Sequence, residues 1–267
     1  MKKLAINYLY LEITRKCTLQ CEHCLRGKRE NIDMSDEMLD NTFKDVTHIH
    51  ELDLGGGEPL FVPKVIKKVI EKIKDYGIKV DKISFTTNGT ILTQNTVDIM
   101  RDLSKIATLD VRISHDIFHL IEILERGIID KVYENIALFK EMLPYDPTSQ
   151  YFVADDGDIV RKGRAENLTE EDISKINGLC EKLGLKIRYR LRTLVSPSTG
   201  LDITMYDWGD NVVQVHGKVV ISAKGKLVNM DETYKNEDTD YDISIQEQSL
   251  LDALHELEQK KKLRNDK

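Results

Sequence analysis

The stretch Thr14-Arg15-Lys16-Cys17-Thr18-Leu19-Gln20-Cys21-Glu22-His23-Cys24 holds three of the chain's four cysteines, in C-x3-C-x2-C spacing. It follows a run in which Leu9, Leu11 and Ile13 alternate with Tyr8, Tyr10 and Glu12, the period of a β-strand. Core cysteines sit among apolar neighbours. These sit among Arg15, Lys16, Gln20 and Glu22, so the loop reads as a metal site.

Two metals suit three thiolates. Zinc closes a tetrahedron with four protein ligands. The candidates for the fourth are His23, which adjoins Cys24, and the more distant His48 and His50. A [4Fe–4S] cube takes three thiolates and leaves one iron open to a small molecule. Downstream, Gly55-Gly56-Gly57-Glu58-Pro59 ends a second strand-like run, and glycines there let main-chain groups approach a neighbour closely.

The C-x3-C-x2-C loop after a first strand, followed by Gly56-Gly57-Glu58-Pro59, resembles the radical S-adenosylmethionine (SAM) superfamily. The resemblance spans about residues 7–195. It implies one [4Fe–4S] cluster on Cys17, Cys21 and Cys24, and SAM held at the open iron and cleaved to a 5′-deoxyadenosyl radical that abstracts a substrate hydrogen. It also implies SAM contacts from Gly56, Gly57 and Glu58. His23, before the third cysteine, takes a place beside the adenine. An external electron donor such as a flavodoxin or ferredoxin follows from the same resemblance.

Other motifs fall at strand ends. Thr86-Thr87-Asn88-Gly89 resembles the family's third-strand ending, with Asn88 toward SAM, although Asn-Gly is also a common turn. Ser114 and Asp116, two apart in an extended chain, project to one side and suit ribose hydroxyls; capping a turn is their other use. Gly163-Arg164-Ala165 resembles an element of the SPASM/twitch-type subgroup that modifies peptides and proteins, with Arg164 expected to pair with a carboxylate of SAM or of a buried neighbour. That subgroup carries auxiliary clusters in a C-terminal extension, and here the extension has no cysteine. The remaining thiol, Cys180, lies on an apolar helix stripe and reads as core, as do Tyr151 and Tyr189 on late strands. No catalytic residue beyond the cofactor site is assigned.

Strand-like and helix-like segments alternate, which predicts parallel βα units. Strands are expected at 8–14, 51–54, 82–87, 108–114, 150–155 and 186–194. Helices are expected at 35–46, from Pro63 to Gly77, at 94–106, 131–142 and 169–183, with a looser stretch through Gly127. Six units fit an α/β fold, the partial (β/α)6 TIM-like barrel of the resembled family, over residues 1–195. Residues 196–267 form an extension: a linker at 196–210, short strands at 212–215, 219–222 and 227–230, and a helix at 246–263.

With 267 residues, 40% hydrophobic and 32% charged, the composition is that of a globular protein with a sizeable core. The net charge of −7 argues against general nucleic-acid binding, and no apolar run reaches the length of a membrane span. A cytoplasmic location is expected. The substrate reads as a peptide or protein side chain. A small metabolite or nucleoside is the other enzymatic reading, and a zinc-stabilised or inactive barrel serving as a binding scaffold is the rival from another class.

Overall fold

The computed structural model describes residues 2–143, 148–149, 157–192, 201–209, 211–229 and 241–265. The whole of the expected strand at 150–155, with Tyr151, and residues 193–200 and 230–240 lie outside them.

Strand β1 (Lys3–Thr14) is extended by its alternation: Leu9, Leu11 and Ile13 are fully buried against the helices. Helix α1 (Asp36–Phe43) starts where Ser35 caps the Met38 amide. Next come β2 (Val46–Gly56), α2 (Pro63–Asp75), β3 (Lys79–Thr87), α3 (Gln94–Ser104) and β4 (Thr108–Ser114). Pro63 opens α2 as expected, and the stripe Val65, Ile66, Val69, Ile70 and Ile73 is its buried face. Helices α4 (Ile117–Glu125) and α5 (Ile129–Met142) precede β5 (Thr148–Ser149), β6 (Asp158–Val160), α6 (Glu170–Lys182) and β7 (Arg190–Arg192). The capping box at Thr169 and Asp172 forms at the start of α6. Strands β8 (Ile203–Tyr206) and β9 (Val212–Ile221) and helix α7 (Leu250–Asn265) complete the order.

The main sheet runs β5-β4-β3-β2-β1-β9-β8, parallel throughout except for the antiparallel β8–β9 pair; β6 and β7 form a separate parallel pair. This is the sheet of a partial TIM-like barrel. Apolar residues of one sheet face, including Leu9, Leu52, Ile83 and Val111, pack with Phe43, Ile66, Val69, Ile99 and Leu103 of the helices. The opposite face is polar. In register across it lie Tyr8, Glu51 and Lys82, then Tyr10, Asp53, Ser84 and Asp110. Lys82 bridges Glu51 at 3.2 Å and Asp110 at 3.0 Å, and the Tyr8 hydroxyl donates to Asp53 at 2.7 Å.

Several expectations change. The stretch expected as a linker at 196–210 contains β8, and the strand expected from 186 starts only at Arg190. The looser stretch through Gly127 contains α4, which Asp116 caps. The final helix begins at Leu250 rather than 246, because the Ser249 hydroxyl accepts the Asp252 amide. The strands expected at 212–215 and 219–222 are one strand, β9, and it joins the barrel sheet in parallel with β1. The break between them is a bulge: the register slips between Ile6–Val215 and Tyr8–Lys218. The turn at Lys224-Gly225 forms as expected, with Val228 N donating to Val220 O at 3.0 Å. Among the described residues no helix is long and apolar enough to cross a membrane.

Gly217 sits in the bulge with φ +90°, and a Cβ there would meet the Asp202 carbonyl oxygen at 1.9 Å. Gly217→Ala is expected to lower unfolding free energy by about 2–3 kcal/mol in urea denaturation. Gly178→Ala, in α6 with open space around its Cβ, should instead stabilise by about 0.5–1 kcal/mol.

Candidate active site

The cysteine loop leaves the C-terminal end of β1 and is tied back to it. Arg15 N donates to Ile32 O at 2.8 Å, and the Thr14 hydroxyl donates to Asp33 at 2.7 Å. The end of β2 lies against the loop's first residues: Gly57 N donates to Thr14 O at 2.9 Å and Glu58 N to Lys16 O at 2.8 Å. Side chains would forbid this approach. A Cβ on Gly56, which has φ +134°, would meet Thr14 O at 2.0 Å, and one on Gly57 would meet Lys16 O at 2.1 Å. The space left by the glycines is thus filled by the cysteine loop itself, where the sequence reading gave it to a ligand.

Cys21 is buried, Cys17 and Cys24 are half-buried, and none forms a disulfide. Burial pushes the Cys17 thiol up to about 12, and the Glu58 carboxylate, Cys24 and Cys21 add to the shift. Thiols on one short loop become thiolates when cationic iron neutralises them. The donor set therefore fits three corners of a [4Fe–4S] cube.

Glu58 is buried beneath the loop. Its carboxylate accepts from Leu60 N at 3.1 Å, Thr87 Oγ1 at 2.7 Å and Asn88 N at 2.7 Å. Burial raises its pKa to about 6, against the pull of these donors. Asn88 reaches the loop directly: Nδ2 donates to Thr18 Oγ1 at 2.9 Å and to Cys17 Sγ at 3.6 Å, while Oδ1 accepts from Thr90. The end of β3 is thereby fastened to both Glu58 and the first cysteine.

Arg164 braces the loop from the other side. Its Nε donates to Cys21 O at 2.7 Å, its Nη1 to Gly27 O at 2.8 Å, and its amide to Cys24 O at 3.0 Å. Within the protein its partners are main-chain carbonyls. A short 3-10 turn at Gly163–Asn167 delivers the side chain, and a Cβ on Gly163 would meet Leu25 O at 2.2 Å.

Ser114 is buried at the end of β4. Asp116 is buried too, but its oxygens are engaged within the protein. Oδ1 accepts from the amides of Phe118 and His119, capping α4, and Oδ2 lies 2.7 Å from His119 Nδ1 and 3.6 Å from His23 Nε2. The ribose role expected for Asp116 gives way to capping and to fixing these histidines. His23 stacks on Phe118 with ring centroids 4.5 Å apart. Burial lowers its pKa to about 4, so the ring is neutral, and its Nδ1 is buried without a hydrogen-bond partner. An unpaired ring nitrogen beside the third cysteine is a place where a ligand group can bind.

The sequence reading missed His119, whose Nδ1 lies 2.7 Å from Asp116 Oδ2. Burial opposes its charge, but the Asp116 carboxylate overrides it and holds the imidazole pKa well above its ordinary value. The available signal was Asp116-Ile117-Phe118-His119, an acidic cap with histidine at the third helical position. Arg15 was missed as well: it is fully buried, with Nε 3.0 Å from Glu12 and Nη1 3.3 Å from Glu30.

His48 and His50, the distant zinc candidates, both contact Asp81, at 2.9 and 3.0 Å. They lie at least six residues, about 20 Å, down β2 from Gly56, so neither completes a site at the cysteines. Cys180 is buried in α6 as expected. Tyr189 packs edge-to-face on Phe118 at 5.2 Å.

The profile of the radical SAM superfamily matches residues 11–153. A probable GTP 3′,8-cyclase of Methanocaldococcus jannaschii is 40% identical over 102 residues, covering 36% of this chain and 33% of that one. The chain thus spans about a third of that curated relative's length. Among solved structures, anSMEcpe with bound AdoMet superposes with a TM-score of 0.52 at 14% identity, covering 95% of this chain and 82% of that one. Streptococcus suis SuiB bound to precursor peptide SuiA gives 0.50 at 13% identity, covering 94% and 64%. These two likenesses establish the TIM-like barrel fold.

Replacing Arg164 with Ala is expected to lower the cysteine loop's affinity for iron about tenfold. Iron and sulfide analysis after anaerobic reconstitution reads this directly. In the apoprotein, Glu58 ionises at a cost that is absent below about pH 4.5 and complete above about pH 6, worth about 2 kcal/mol. Apoprotein stability should fall across that window, and the fall should shrink in Glu58→Gln.

Proposed function

Because the chain belongs to the radical SAM superfamily, we propose that it is a radical SAM enzyme acting on a peptide or protein side chain. Cys17, Cys21 and Cys24 would hold one [4Fe–4S] cluster, and Glu58, His23, Asn88 and Ser114 would face SAM. When bound, the pair supplies reductive cleavage of SAM to a 5′-deoxyadenosyl radical, which takes a hydrogen atom from the substrate.

The chain's residues have separate tasks in this reading. Glu58 offers a buried carboxylate for the SAM ammonium, with Thr87 and the Asn88 amide keeping it oriented. His23 presents its unpaired Nδ1 to the nucleoside. Arg164 and Asp116 act from behind, holding the loop and the histidines. The polar sheet face, with Tyr10, Asp53 and Ser84, meets the substrate. A low-potential carrier such as a flavodoxin or ferredoxin supplies the electron.

The single observation that carries the enzymatic reading is the bracing of all three cysteines, Cys17 by Asn88 and Cys21 and Cys24 by Arg164. The Gly163-Arg164-Ala165 element, and a solved neighbour whose title includes a precursor peptide, support a peptide substrate. The relative named as a probable GTP 3′,8-cyclase favours a nucleotide as the second reading.

Anaerobic protein reconstituted with iron and sulfide, then given SAM and dithionite, is expected to release 5′-deoxyadenosine. The Cys17→Ala, Cys21→Ala, Cys24→Ala triple variant should release none. Colourless wild-type protein that retains zinc and yields no product would defeat the reading.

A further inference from the structure

Beside the cysteine loop the surface is hollowed into an open concavity of about 600 Å³, walled in part by Thr18, Phe61, Ile91, Arg126 and Lys131. No residue of the polar sheet face lines it, so it lies apart from the surface given to the substrate. The Phe61 ring is 48% exposed. Arg126 and Lys131 are exposed as well, and no carboxylate lines the hollow. In a chain of net charge −7 this is a local positive patch around an apolar centre.

The hollow reaches the first cysteine through a short hydrogen-bonded path. Thr18 follows Cys17 in the chain, and its hydroxyl lies 2.6 Å from that of Thr90, which also lines the wall. Asn88 Nδ2 donates both to Thr18 Oγ1 at 2.9 Å and to Cys17 Sγ at 3.6 Å. One amide group therefore links the wall to the sulfur. On the rim, Glu122 Oε1 accepts the Gln20 amide at 3.0 Å and lies 2.5 Å from Arg126 Nη2, so this cation is tied to the same loop. Lys131 has no hydrogen-bond or ion-pair partner among the described residues, which leaves its ammonium for an incoming acid.

We propose that this hollow is the docking surface for an acidic electron carrier, whose carboxylates meet Arg126 and Lys131 while an apolar group packs on Phe61. The proposal rests on the radical SAM reading above, which needs an electron from outside. One electron passes from the carrier's reduced flavin, which is oxidised, to the cluster, which is reduced, and no bond is made or broken. Opposite charges steer such an encounter, and a small contact suits a carrier that leaves after each electron.

The test uses the reconstituted protein and a strongly acidic flavodoxin. Calorimetry at low salt reads binding of the oxidised flavodoxin, and stopped-flow absorbance reads cluster reduction by its hydroquinone. Wild type is compared with Lys131→Glu and with the Arg126→Gln, Lys131→Glu double variant. Affinity and reduction rate should each fall about tenfold in Lys131→Glu and further in the double variant, and added salt should bring wild type toward them. The yield of 5′-deoxyadenosine with excess dithionite, a small reductant that needs no docking surface, should stay at the wild-type level in both. Unchanged affinity and rate in both variants, or a flavodoxin that does not bind wild type at low salt, would overturn the proposal and leave the enzyme reading intact. Loss of dithionite-driven cleavage in Lys131→Glu at equal iron content would also overturn it, since the residue would then serve the site itself. If the double variant fails to hold iron, Lys131→Glu alone decides. A wild-type protein that takes up zinc and forms no cluster would instead bring down the parent reading and this proposal with it.

Discussion

Two main-chain hydrogen bonds, from Gly57 to Thr14 and from Glu58 to Lys16, fix the distance between the ends of β1 and β2. The rest of the site hangs from that distance. With the glycines in place, Glu58 descends under the loop and meets the hydroxyl of Thr87 and the amide of Asn88. With Asn88 anchored, its side chain reaches Thr18 and Cys17. A buried carboxylate left without donors would cost several kcal/mol, so the strand ends cannot drift apart by even one hydrogen bond without penalty. Backbone geometry, more than side-chain chemistry, sets the position of the first cysteine.

Glu58 and Asp116 are buried carboxylates on either side of the same loop, and the protein treats them in opposite ways. Glu58 has only neutral donors, so burial dominates and lifts its pKa. Asp116 is desolvated too, but His23, His119 and the helix amides depress its pKa below the ordinary carboxylate range. At neutral pH both are carboxylates, but Glu58 is the readily protonated one and Asp116 is held firmly charged. Asp116 faces the His119 imidazole, whereas Glu58 is held by a hydroxyl and two main-chain amides.

Much of this was legible in the sequence, for local reasons. Ser35, Pro63 and Thr169 with Asp172 are short-range signals that need no tertiary context. The cysteine spacing and Gly56-Gly57-Glu58-Pro59 pointed to one chemistry because both are compact. What escaped depended on distant partners. Helix α4 reads Ile117-Phe118-His119-Leu120-Ile121 and is apolar almost all round, so it lacks the amphipathic period of a surface helix. Strand β9 was divided because Gly217 interrupts its pattern, and only the pairing with β1 shows the interruption to be a bulge. For Arg164, an exposed-looking cation suggested an anionic partner, yet a guanidinium serves carbonyl oxygens as readily when a loop must be pinned. His119 and Arg15 acquire meaning only once the chain is folded around His23 and Glu12.

The seat of β9 beside β1 has a consequence for how the molecule comes into being on the ribosome. Strand β1 has one edge completed by β2 soon after it emerges, while its other edge waits for β9. The Glu12 carboxylate, which anchors Arg15 under the cysteine loop, also accepts the amide of Ala223, 211 positions later. Contacts of such long range form late and slowly. Until β9 is made, the nascent cysteine loop therefore exists on an unfinished barrel, its thiols more open to metal and oxidant than in the finished fold.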